Sequence, residues 1–177
     1  ATGVTIAGGS LFFNLSGNVV LESATTTSGT AYSDPAYCTA IKSDTDVVIT
    51  GGHVVITHTG TAGKGISADG SLTITGGTIR ADLQGASADG LSSDTLVSIN
   101  GGSFDIKASG DQTKGLKSKA AMNLGGGTFT FTLSGNVVLE ASTTSTGTAC
   151  YDPSYCSGIK CDGDLTVSGG SFTITHT

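Results

Sequence analysis

Paired glycines recur at Gly8-Gly9, Gly51-Gly52, Gly76-Gly77, Gly101-Gly102, Gly126-Gly127 and Gly169-Gly170, at intervals of 43, 25, 25, 25 and 43 residues. A fixed period of this length belongs to solenoids, in which each unit buries its apolar face only against its neighbours. Each long unit is a short unit with 18 residues inserted. A second period is superimposed, because residue n resembles residue n + 118. Residues 8–59 match residues 126–177 at about 30 of 52 positions.

Within each unit, apolar residues alternate with period two, the spacing of β-strands. A first run aligns Ile6, Ile49, Ile74, Ile99, Leu124 and Val167. A second, after the glycine pair, aligns Leu11, Val54, Ile79, Phe104, Phe129 and Phe172, then Phe13, Ile56, Ala81, Ile106, Phe131 and Ile174. A third aligns Ile41, Ile66, Leu91, Leu116 and Ile159. Three strands per 25-residue coil, joined at glycine corners, predict an all-β parallel β-helix with three sheets and coils about 4.8 Å apart. The expected layout is a single domain over 1–177, with long coils 8–50 and 126–168 and short coils 51–125. The chain starts and stops inside a unit, so it reads as a piece of a longer protein.

Composition removes several classes. A net charge of −6 leaves no basic patch for nucleic acid. No apolar run approaches the length of a membrane-spanning helix. The glycines lack the three-residue period of collagen, and 37% apolar content in β-branched clusters argues against disorder.

All four tyrosines lie in the two insertions. Tyr32, Asp34 and Tyr37 in the first, and Tyr151, Asp152 and Tyr155 in the second, are the candidate ligand-binding residues. Aromatic rings beside hydrogen-bonding side chains suit a sugar, which has apolar C–H faces and a rim of hydroxyls. Four coils separate the insertions, about 19 Å, so two equivalent sites would engage one polysaccharide. The competing reading is that these rings only pack the loops against the flank.

Asp44, Asp69, Asp94 and Asp162 share one corner column, interrupted by Lys119. With Asp89 they form the candidate calcium set, since stacked carboxylates repel and a divalent cation reverses that. Asp46 and Asp164 extend the same corners. Turn formation by Asp is the alternative role. Lys64, Asp89 and Lys114 form an alternating ladder. In a lyase acting on uronate polymers, Lys64 or Lys114 would be the base, although eight basic residues are few to line such a groove. His53, His58 and His176 form no triad, and no serine carries a nucleophile-elbow signature. The chain reads as non-catalytic. Cys161 is expected to be a buried free thiol, and a Cys150–Cys156 bridge is open within one loop.

The run from Lys64 to Ile79, KGISADGSLTITGGTI, resembles the repeats of secreted bacterial carbohydrate-binding domain-containing proteins, which read much like G-I-K-A-D-G-D-L-T-I-x-G-G. Similar text spans Gly158 to Gly170. The resemblance implies a right-handed β-helix like that of polysaccharide lyases, bound calcium, an extracellular or cell-surface location and polysaccharide binding. Lys119 departs from the pattern where an acidic corner residue is expected. An adhesin-like binder, a lyase and a structural spacer remain as alternatives.

Overall fold

The computed structural model describes residues 3–143 and 146–177. Among them every regular element is a strand, and no helix is long and apolar enough to cross a membrane.

Strands pair in parallel with their counterparts in the next unit. In the first run, Val4–Ile6 pairs with Val47–Ile49, which pairs with Leu72–Ile74. In the second, Ser10–Leu15 pairs with His53–His58, and that strand pairs with Thr78–Leu83. The third run stacks Thr39–Ser43, Lys64–Ala68, Asp89–Ser93, Lys114–Ser118 and Ser157–Cys161 in one five-stranded sheet. Like residues therefore lie beside like residues, as the sequence period requires.

Two sheets replace the three expected. First and second runs fuse into the continuous strands Leu96–Ala108 and Ala121–Leu133, so both runs belong to one ten-stranded sheet. The glycine pair is a bend inside that sheet, marked by a register shift between Ile99 and Ser103. Gly102 holds φ at 100°, which L side chains rarely adopt. A Cβ on Gly101 would stand 2.4 Å from the carbonyl oxygen of Thr75. Both glycines are needed, one for conformation and one for space.

The core lies between the two sheets. Ile49, Ile74, Ile99 and Leu124 of the first column are fully buried, as are Ile66, Leu91 and Leu116 of the third. Phe104, Phe129 and Phe172 stack with ring centroids 4.6 Å apart. His58 is buried as well. Its Nδ1 accepts from Gly60 N–H (3.1 Å) and its Nε2 donates to the Cys38 carbonyl (3.0 Å), a structural role. Each insertion folds as an antiparallel hairpin: Val20–Thr25 with Ala31–Ala36, and Val138–Thr143 with Ala149–Ser154.

The cysteines depart from expectation. All four are free thiols. Cys150 pairs across its hairpin with Ser142, while the Cys156 thiol points to the Ala108 carbonyl (3.7 Å), so no Cys150–Cys156 bridge forms. Cys161 is partly exposed rather than buried, because its strand lies at one edge of the five-stranded sheet.

Candidate functional site

The five-stranded sheet turns Ile66, Leu91 and Leu116 into the core, and on its solvent side Lys64 and Asp89, although three residues along the strand from the column of Lys42 and Lys117, line one recess with them. Its outer columns carry Lys64, Asp89 and Lys114 in direct register, and Lys42, Ser67, Ser92, Lys117 and Lys160 in the next. With Lys119, six of the chain's eight lysine and arginine residues stand on this face. Sparse basic residues do line a groove, because the fold gathers them from four of the sheet's five strands.

Each lysine is engaged. Lys42 bonds Asp69 and lies 3.6 Å from Asp44. Lys117 meets Asp89 at 2.9 Å and Lys119 meets Asp94 at 2.8 Å, while Lys160 bonds Asp162. Lys114 donates to the carbonyls of Gln112 and Tyr155. The Lys64 ammonium sits 4.0 Å from the centroid of the Tyr37 ring. Burial lowers the pKa values of Lys64 and Lys114, with Asp89 opposing the shift. The hydrogen bond to Asp94 raises that of Lys119. Away from this face, Cys156 is raised by burial.

Above the sheet runs a trough. One recess of about 580 Å³ lies against the first hairpin, lined by Asp34, Tyr37, Lys64 and Asp89 among others. Another of about 550 Å³ lies against the second, lined by Lys114, Glu140, Asp152, Tyr155 and Lys160. A smaller one of about 180 Å³ joins them, sharing Asp89 and Lys117 with the first and Lys114 and Glu140 with the second. Three non-glycine residues along the rim hold positive φ: Ala62 (53°), Ser87 (58°) and Gln112 (60°). Each such residue costs on the order of 1 kcal/mol, and here each amide is fixed by the next coil, as in Ala62 N–H to Ala86 O at 2.7 Å. Ser87 donates to Gln112 (2.6 Å) and Gln112 donates to Glu140 (2.8 Å), tying rim to hairpin.

The candidate ligand residues divide. Asp34 and Tyr37 line the first recess, and Asp152 and Tyr155 the second. Tyr32 and Tyr151 line neither. By the 118-residue offset Tyr32 corresponds to Cys150, and Tyr151 to Ser33. Along a strand, one residue of offset reverses the face. Tyr32 therefore shares its hairpin face with Asp34, whereas Tyr151 lies on the face opposite Asp152, 72% exposed. Of the calcium candidates, Asp69, Asp89 and Asp94 line the first recess, and Asp44 and Asp162 lie along the same corner column.

The column of Lys42, Lys117 and Lys160, beside the ladder of Lys64, Asp89 and Lys114, was the feature missed in the sequence. Its signal is the third-strand text Ile41-Lys42-Ser43-Asp44, Leu116-Lys117-Ser118-Lys119 and Ile159-Lys160-Cys161-Asp162. Residues two apart on a strand share a face, so a lysine there stands beside the corner residue.

A family model described as carbohydrate-binding domain-containing protein matches residues 24–177. Searches of curated proteins and of solved structures give no match.

Proposed function

The chain belongs to the carbohydrate-binding domain-containing protein family, and from that premise we propose that it is a non-catalytic binder of neutral polysaccharide, secreted or displayed at a cell surface. The parallel ladders stepping by 25 residues support reading it as a parallel β-helix. Right-handed winding follows from the general hand of parallel crossovers. The polymer would lie in the trough between the hairpins.

One observation carries this reading: the trough floor is a lattice of lysine–aspartate pairs walled by Tyr37 and Tyr155. Lysine only donates hydrogen bonds and carboxylate only accepts, whereas a sugar hydroxyl does both. A hydroxyl can bridge such a pair without breaking it. A uronate carboxylate would have to displace an aspartate from its lysine, exchanging one ion pair for another. A net charge of −6 also repels a polyanion at long range.

The test is isothermal titration against soluble neutral glucans, xylans and mannans, alongside polyuronates. Saturable binding to a neutral polymer, weakened roughly tenfold by Tyr37→Ala with Tyr155→Ala, is the expected result; a tenfold loss corresponds to about 1.4 kcal/mol. Binding to polyuronate alone would refute it.

Lys64 and Lys114, with pKa values lowered by burial beside Asp89, support a second reading. In a uronate lyase one of them would take the C5 proton as the C4–O bond breaks. Unsaturated uronate in the polyuronate titration would favour it.

A further inference from the structure

Resemblance to calcium-bearing β-helices implies a divalent cation on the acidic corners, and calcium takes six to eight oxygen ligands at about 2.3–2.6 Å. The corners of this chain do not offer that set. Asp44, Asp69, Asp89, Asp94 and Asp162 each have a lysine ammonium within ion-pair distance. Corner carbonyls are engaged too. Ser43 O accepts from Asp69 N–H (3.0 Å) and from Lys42 (3.2 Å), and Gly70 O accepts from the Ser93 hydroxyl (2.6 Å). Asp46, in the same corner, spends Oδ1 on the Ser71 amide (2.7 Å). Among the described residues, no three His, Cys, Asp or Glu side chains converge as a metal site would require.

We propose that the lysines of the outer face are resident counter-ions, with Lys42, Lys117, Lys119 and Lys160 neutralising the acidic ladder where a divalent cation would otherwise sit, so that the face needs no calcium. The arrangement reaches across coils. Lys42 extends forward to Asp69 of the next coil, and Lys119 extends back to Asp94 of the previous one. Asp69 and Asp94 occupy adjacent coils, so the two lysines quench from opposite sides the repulsion that a metal would quench from between. Lys119, the departure from the repeat pattern, is thereby accounted for: it supplies the cation.

Calcium titration of the full chain by calorimetry, with melting curves in chelator and in millimolar calcium, tests this without any sugar. No saturable heat and an unchanged melting midpoint are expected. Saturable calcium binding with a raised midpoint would overturn the proposal. The double variant Lys42→Gln/Lys119→Gln frees Asp44, Asp69 and Asp94, and should bind calcium at least tenfold more tightly than the parent chain. A folded variant that gains no affinity would equally overturn it. If the double variant fails to fold, Lys119→Gln alone, checked by circular dichroism, provides the same comparison.

Discussion

Residues 8–59 and 126–177 are near-copies, yet the fold treats them differently. In the first copy, Ile49 and Ile56 are fully buried; their counterparts Val167 and Ile174 are 53% and 54% exposed. Neighbours make the difference. His53–His58 is sandwiched between Ser10–Leu15 and Thr78–Leu83, whereas Ser171–His176 pairs with Ala121–Leu133 alone. The hairpins differ in the same way. Tyr37 of the first places its ring over Lys64 of the coil that follows, while Tyr155 of the second offers its carbonyl to Lys114 of the coil before. One piece of sequence thus walls the trough from one end, and its copy walls it from the other. In a stacked fold, burial and contact belong to position in the stack as much as to sequence.

The largest expected effect breaks the equivalence of the cores. Ile56→Ala removes side-chain volume from a closed interior and should destabilise by about 3 kcal/mol. Ile174→Ala, at the matching position, should cost less than about 1 kcal/mol, because most of the side chain already meets water. Urea unfolding of both variants reads the difference. Equal losses would mean that the exposed column is covered in solution.

A smaller effect separates the tyrosines. Tyr155→Ala should weaken polysaccharide binding several-fold, about 1 kcal/mol on the scale of a ring contact, whereas Tyr151→Ala should leave it unchanged. Titration of one neutral polymer against both variants decides. Loss of affinity in Tyr151→Ala would move the contact surface to the outer face of the hairpin.

The glycine pairs and the in-register columns made the parallel ladders legible in the sequence, since a repeat that stacks on itself must place like on like. The merging of two runs into one sheet was not legible. A glycine pair reads identically whether it ends a strand or bends it, and only the backbone bonding at Ile99–Ser103 distinguishes the two. At the site, Asp34, Tyr37, Asp152 and Tyr155 were legible from their spacing. The face of Tyr151 depended on a one-residue offset between otherwise matching insertions. The partner of Asp89 was not legible either. Register sets it beside Lys114, but Lys114 turns to two carbonyls and Asp89 takes Lys117 on the diagonal. Register fixes which backbones are neighbours; the reach of a long side chain fixes which charges pair.

That reach leaves opposite signatures in pH. Lys64 has its folded-state pKa lowered below 10.5, chiefly by burial. The folded chain therefore holds fewer protons than the unfolded one in the window below 10.5, and this residue's contribution to stability rises as pH rises towards that value. Lys119 has its pKa raised above 10.5, chiefly by the hydrogen bond to Asp94. Its contribution is fully present below 10.5 and is lost as pH climbs through the raised value. Subtracting the stability–pH curve of Lys64→Met from that of the parent chain should leave a difference that favours the parent increasingly as 10.5 is approached from below. The same subtraction for Lys119→Met should be flat there and fall above it. If both differences slope the same way, attraction to Asp89 outweighs burial at Lys64, and its ammonium is held in the trough floor as an ion pair, as Lys119 is by Asp94.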